Sequence, residues 1–438
     1  MQRKKNSVVS RAKSPASLLA LALTVAPCAA QPVDAAASAA EGSAGRVAVL
    51  TLARALERAL QRSAAVVSAA AECDVAAARL RSARAWANPT LAVDADNVLG
   101  SGAFSNFDAA ETTLSLSQEL PLGGRRSAGL RGARAGLDLA AAISQLAVLV
   151  VRRDVTVAYA EAVAAERLAE IERERARIAT ETRAAVEKRF NAGLESELQR
   201  SRVAVATSGL QAAARRAAAQ AMVRRRALAG LWREDAVTEP LDVVWFDTLT
   251  PPAIAAAAAP LQLHPRLRVA QLRAVQAQAT LDAARAQRYS GIEATVGTRS
   301  FKGQPDGSNR AFVIGLSMPL PLWDRNAAGI AEARAAQTHA ELEAERVVRD
   351  LQGDRATAVA ELEAATLEAT ALADSGLPAA QSAARLAQQG YEAGRLSLLE
   401  RLDAERALSD VREHLERARL AVQRSRAELQ SLQLPQVS

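Results

Sequence analysis

Residues able to do chemistry are sparse in this chain, and their spacing argues against an enzyme. The three histidines, His264, His339 and His414, are isolated. No two of them have the i, i+4 spacing by which a helix offers two imidazoles to one metal ion. With three methionines and only Cys28 and Cys73 as thiols, soft-metal ligands are scarce as well. No bound metal and no cofactor is therefore expected. No histidine stands in a serine or cysteine motif that would assemble a nucleophile and its base. Gly123-Gly124-Arg125-Arg126 resembles a phosphate loop superficially, but the glycine spacing is wrong and no Lys-Ser/Thr follows.

Carboxylates and glycines remain. Glu400 and Asp403 are three apart and so share one face of a helix; taken alone they read as solvated coiled-coil acids with Arg401 and Arg406 as partners. Asp94 and Asp96 alternate with Leu91, Val93 and Ala95, which gives a strand one acidic and one apolar face. A half-buried soluble strand and a strand between lipid and a water-filled lumen share that pattern. Gly193, in Phe190-Asn191-Ala192-Gly193-Leu194, and Gly394, in Tyr391-Glu392-Ala393-Gly394-Arg395-Leu396, stand where two proline-free runs meet. Each suits the left-handed backbone that ends a helix, and Ser397 is placed to cap the next one.

The elements that would position these residues are mostly helices. Aromatics make up 3% of the 438 residues and alanine dominates the apolar half, which suits close helix packing rather than a bulky core. From Leu408 the positions Val411, Leu415, Ala418, Val422, Ser425, Leu429 and Leu432, all but the serine apolar, alternate spacings of three and four, the seam of a coiled coil. The formal charge is +7, but Arg3, Lys4, Lys5, Arg11 and Lys13 precede an apolar run, Leu18 to Val25, and small residues ending at Ala29-Ala30. Residues 1–30 read as a secretory signal peptide. Removing its five cations leaves +2, which gives no argument for nucleic acid. Cys28 raises a lipid-anchored alternative that Pro27 fits badly, and Cys73 alone forms no internal disulfide. No later stretch reads as a membrane-spanning helix of roughly 20 continuous apolar residues. A membrane crossing would have to be a β-barrel.

The plan repeats. A helix is expected from about Leu52 to Trp86, then two alternating segments, Thr90–Asp96 and Thr113–Gln118, around the loop Gly100–Asn106. A proline-free helix follows to about Lys188, on the order of 100 Å at 1.5 Å per residue. Ala83-Arg84-Ala85 and Leu120-Pro121-Leu122 recur as Ala284-Arg285-Ala286 and Leu320-Pro321-Leu322, and a second hairpin, Gly291–Gly297 with Arg310–Leu316, flanks the loop Lys302–Asn309. These marks, like the two glycine tips, are 200 or 201 residues apart. The expected organisation is a first repeat over 31–236, a connector over 237–265 and a second repeat over 266–438. The connector, with Trp245 and Phe246, is expected to pack around the middle of the helices. Four strands cannot close a barrel alone, since the smallest membrane barrels need about eight. Either they form a minor sheet on a coiled coil, or several chains share one barrel.

Taken together, Asn88-Pro89-Thr90-Leu91, the run Glu111-Thr112-Thr113-Leu114-Ser115-Leu116-Ser117-Gln118-Glu119-Leu120, the Leu122-Gly123-Gly124-Arg125-Arg126 segment and the Tyr391-Glu392-Ala393-Gly394 tip resemble the outer-membrane efflux protein (TolC) family, and within it the CzcC-like heavy-metal branch. The resemblance implies a mainly α fold with a small β part. Two tandem repeats would form a long periplasmic α-helical tunnel and, as a homotrimer, a shared twelve-stranded barrel in outer-membrane lipid of a Gram-negative cell. It implies a passive duct docked to a periplasmic membrane fusion (adaptor) protein and an inner-membrane pump of the resistance-nodulation-division type. It makes Glu400 and Asp403 a cation-favouring gate, acidic in one repeat only because the matching positions are Gln199 and Arg202. It also makes Gly193, Leu194, Gly394 and Leu396 adaptor contacts and turns Asp94 and Asp96 to the barrel lumen. A duct for drugs or secreted polypeptides, and a structural periplasmic coiled-coil rod, are the competing readings. Paired hairpins at equivalent positions are something a rod has no need of.

Overall fold

The computed structural model describes residues 49–104, 107, 109–249, 261–302 and 309–433. The expected signal peptide with Cys28, part of each hairpin loop and residues 250–260 of the connector lie outside them.

Helix α1 (Leu52–Arg62) starts at Thr51, whose hydroxyl accepts from the Arg54 amide, and helix α2 (Ala64–Arg84) follows directly. The single helix expected to run to Trp86 is thus two, because Ser63 is extended at ψ 133° and breaks the hydrogen-bond ladder. Strands β1 (Thr90–Asp96) and β2 (Glu111–Leu120) form the first hairpin, and α3 (Arg125–Asn191) and α4 (Glu197–Gly230) run out to the first glycine tip and back. After the connector come α5 (Pro265–Ala286), β3 (Ile292–Phe301) and β4 (Asn309–Ser317). Helices α6 (Ala327–Ala371) and α7 (Leu377–Glu392) lead to the second tip, and α8 (Leu398–Ser431) returns. A π-helical turn, Leu372–Gly376, interrupts the outgoing run of the second copy, where Pro378 has no N–H to continue a regular ladder.

The four strands form one antiparallel sheet in the order β1-β2-β3-β4. Helices α2, α3, α5 and α6 pack side by side in the matching order, so each strand of the sheet continues into one helix beneath it. Helix α3, 67 residues long, spans on the order of 100 Å. It also contains an 18-residue stretch of mean hydropathy 1.6, only 17% buried within the chain, that is long and apolar enough to cross a membrane. The sequence reading, which expected no such stretch, is corrected on this point. The helix nevertheless packs against α2, α4, α5 and α8, and it lies beneath the sheet rather than beside it.

The connector closes the middle of the molecule, as expected. Leu50 pairs with Leu241, and the buried Tyr159 hydroxyl donates to the Leu50 carbonyl at 2.7 Å and accepts from the Asp242 amide at 2.8 Å. Trp232, Phe246 and Leu228 complete this core, and burial pushes the Tyr159 phenol up to about 12. From α8, Gln423 donates to the Phe246 carbonyl at 3.0 Å. Seven of the eight seam positions from Leu408 to Leu432 are buried, with Val411 half-buried. Ion pairs join α3 to α8 down their length: Arg153–Glu428 at 3.7 Å, Glu161–Arg424, Arg167–Glu416 at 3.1 Å and Arg175–Asp410 at 3.0 Å. The more exposed of these pairs contribute about 0–1 kcal/mol each, while Glu416 is buried and depends on Arg167 to offset its charge.

Candidate tip and sheet sites

The two tips are built alike, atom for atom in several places. Gly193 and Gly394 both take positive φ, +76° and +67°. The Leu194 amide returns to the Arg189 carbonyl and the Arg395 amide to the Gly390 carbonyl, each at 2.8 Å. A side chain at either glycine would meet open space but a strained backbone, which is why glycine occupies both. Ser196 and Ser397 then cap the returning helices. Arg200 stacks 4.3 Å over Phe190, and Arg401 stacks 5.4 Å over Tyr391 at the equivalent positions.

The tips differ where their side chains fold back. In the first, Arg189 pairs with Glu195 at 3.0 Å. In the second the same two positions are Gly390 and Leu396, and the leucine packs on the glycine so closely that a Cβ there would meet it at 2.6 Å. Leu194 is exposed and free for contact, whereas Leu396 is half-spent holding its own turn. Two further leucines at equivalent places, Leu198 and Leu399, are exposed on the first turns of α4 and α8. The sequence reading missed them, although the 201-residue offset marks both.

Glu400 and Asp403 are both exposed, on the first and second turns of α8. The Glu400 carboxylate is turned back as one half of a capping box, accepting from the Ser397 amide at 2.7 Å and the Ser397 hydroxyl at 2.8 Å, while the Glu400 amide donates to Ser397 Oγ. Those two bonds, the amide's first, hold its pKa below the usual carboxylate range. The Ser-x-x-Glu spacing was the available signal for this box. Asp403 instead lines a cleft of about 500 Å³ between the two tips, with Ile178 and Thr182 of α3, Val203 and Leu210 of α4, and Leu399. The cleft opens beyond Arg175, the last α3–α8 ion pair toward the tips among the described residues. Arg401 and Arg406, the expected partners, form no ion pair with either acid among the described residues; Arg401 is engaged with Tyr391.

At the far end of α3, Asp94 and Asp96 lie on the polar face of the sheet. The register places Asp94 opposite Thr113 and Thr113 opposite Arg299, with Asp96 opposite Glu111. The other face carries Leu91, Val93, Leu114, Leu116, Val296, Phe312, Ile314 and Leu316, all exposed, with Phe312 at 89% and Ile314 at 81%. Exposed apolar area this contiguous marks a surface that meets something other than water. Gly297 lies opposite Ser115 on the polar face, where a Cβ would strike the Leu114 carbonyl at 2.6 Å, so only glycine lets the strands approach there. Among the described residues, no group of three or more His, Cys, Asp or Glu side chains is placed to hold a metal ion.

Comparison with known proteins follows the same outline. The sequence pattern of the outer membrane efflux protein family matches residues 55–232 and 258–433. The chain is 26% identical over 366 residues to the cobalt-zinc-cadmium resistance protein CzcC of Cupriavidus metallidurans, covering 83% of this chain and 85% of that protein. It is 30% identical over 295 residues to the nickel and cobalt resistance protein CnrC of the same organism, covering 67% and 69%. In three dimensions it superposes on the crystal structure of the outer membrane protein VceC of Vibrio cholerae with a TM-score of 0.72 at 22% identity, covering 87% of this chain and 95% of that one. The crystal structure of CusC gives a TM-score of 0.72 at 20% identity, with 90% and 95% covered.

Proposed function

The chain belongs to the outer membrane efflux protein family, and from that premise we propose that it is the outer-membrane duct of a tripartite system that exports heavy-metal cations. The observation that carries this reading is the pairing, at opposite ends of a helix on the order of 100 Å long, of a sheet with one exposed apolar face and two capped glycine tips. The apolar face meets outer-membrane lipid, and the polar face with Asp94 and Asp96 lines the lumen. Strands β1 and β4 each leave one edge unpaired in the chain, and three chains pairing those edges close a barrel of twelve strands. The helices of each chain then extend the duct through the periplasm.

The tips meet the adaptor. Gly193 and Gly394 turn the backbone there, Leu194 offers an apolar contact, and Leu396 supports the second turn as well as bordering the contact. Glu400 and Asp403, three copies of each around one axis, form the cation-favouring mouth. An inner-membrane pump of the resistance-nodulation-division type supplies the driving force. Divalent metal is the cargo, in line with the metal-resistance relatives CzcC and CnrC.

The test is cellular. Deleting the gene for this chain while keeping adaptor and pump should raise accumulation of zinc or cobalt several-fold, and restoring it should reverse the change. Unchanged metal accumulation, with increased sensitivity to organic drugs instead, would overturn the metal cargo.

A further inference from the structure

Charge on the polar face of the sheet is confined to its ends. Nearest the helices stand Glu119 and Glu293, opposite each other, with Arg125 3.7 Å from Glu119. The middle rows, through Ser117 and Thr295 and through Ser115 and Gly297, carry no charge. The two rows at the loop end hold Asp94, Asp96 and Glu111 and a single cation, Arg299. That guanidinium reaches across from β3 to β2, donating from Nε to Thr113 Oγ1 at 3.0 Å and from Nη1 to Glu111 Oε2 at 3.3 Å. Asn97 holds the other oxygen of Glu111, also at 3.3 Å. Glu111 is therefore fixed from both sides, and among the described residues of these two rows Arg299 is the one cation that offsets the acids.

We infer that Arg299 sets the charge, and through it the ion preference, of the outer end of the barrel, acting separately from the acids at the tips. The inference rests on the duct reading, since it requires the polar face to line a conducting lumen. Each chain contributes three carboxylates and one guanidinium to the collar. Removing the guanidinium leaves the carboxylates unopposed and frees Glu111 from its cross-strand hold. At low ionic strength, fixed charges in a confined aqueous path act over a Debye length of about 10 Å, enough to cover a row of the sheet; at 1 M salt the range falls to about 3 Å. The ordinary alternative is that Arg299 only fastens β2 to β3 at the seam between the two copies.

The experiment uses the full mature chain in planar lipid bilayers under a potassium chloride gradient. Arg299→Gln should raise the potassium-to-chloride permeability ratio about two- to three-fold at 0.1 M salt, the effect of a change of about one kT in local potential. That difference should largely vanish at 1 M. Arg299→Lys, which keeps the charge but not the two-point hydrogen bonding, should restore most of the wild-type ratio. The pair Asp94→Asn with Asp96→Asn should shift the ratio the opposite way. An unchanged ratio in Arg299→Gln, or an Arg299→Lys chain as altered as Arg299→Gln, would overturn the inference and leave a seam contact. If Arg299→Gln failed to insert, an unchanged ratio in the double asparagine chain would overturn it equally. A wild-type chain that conducts no ions would instead overturn the duct reading beneath it.

Discussion

In the proposed duct Glu400 has two roles that compete for the same carboxylate. Turned back on its own helix it caps α8 through Ser397; turned to the proposed axis it would add to the mouth. Asp403, free of any cap, is the stronger candidate for the proposed gate. Replacing both with alanine should raise single-channel conductance and weaken cation preference, while replacing Glu413, which lies several turns further along α8 and is tied to Arg417, should do neither. Wild-type conductance and selectivity in the double alanine chain, recorded in planar bilayers, would return both acids to the status of solvated coiled-coil residues. A second residue-scale prediction concerns His264, which is buried at the start of α5. Its Nδ1 accepts from the Arg266 amide at 3.1 Å and its Nε2 lies 3.0 Å from the Ser431 carbonyl. Burial lowers its pKa, with the nearby Arg266 charge acting in the same direction against the Ser431 bond. Below about pH 6.5 the unfolded chain takes up a proton that the folded one excludes, so stability is full above that pH and falls as pH drops toward the folded pKa. Thermal melts between pH 7.5 and 5 should show this loss, and His264→Asn, which keeps a capping oxygen that does not titrate, should flatten it. An equally steep acid loss in the asparagine chain would remove His264 as its cause.

At the scale of elements, the tips and strands were more legible than the breaks. The three-four alternation from Leu408 to Leu432 marks a buried seam because a long coiled helix exposes no other apolar stripe, and the period-2 run Thr90–Asp96 is β1 to the residue. Ser63 gave no glycine or proline signal: it lies in Arg62-Ser63-Ala64-Ala65, and its extended backbone ends α1 and starts α2. The π-turn before Pro378 left the outgoing helix in place and changed only its hydrogen bonding, so no periodicity was lost to betray it. At the tips the sequence located Gly394 but not the Leu396–Gly390 contact, which exists only once the turn is closed. Gly394→Pro is a sharp probe of this element. Proline fixes φ near −65°, where Gly394 needs +67°, and it removes the amide that donates to the Tyr391 carbonyl at 3.0 Å. The sheet, a helix length away, is untouched. Crosslinking of this chain to its adaptor should fall sharply while outer-membrane insertion persists; undiminished crosslinking would mean the glycine tips are not the docking end.

On the scale of the whole molecule, one order of neighbours runs from the sheet into the helices: β1-β2-β3-β4 above, α2-α3-α5-α6 below. A chain built this way fits the proposal that it is one sector of a tube. Its apolar outer sheet face is a surface that the isolated chain leaves without a partner, whereas the apolar stretch of α3 is largely half-buried against its neighbours in the chain. In the proposed trimer lipid would cover the sheet face. The alternation of Asp94 and Asp96 with Leu91 and Val93 contained the two-faced character of the sheet, but a single chain's sequence does not count its copies. In lipid every unpaired N–H and C=O along the free edges of β1 and β4 costs several kcal/mol, so the barrel closes only if those edges meet. Native mass spectrometry of the mature protein, extracted from outer membranes in mild detergent, tests this most directly. The account predicts a single species of three chains with its strand content intact; a stable monomer with the same strand content would contradict it.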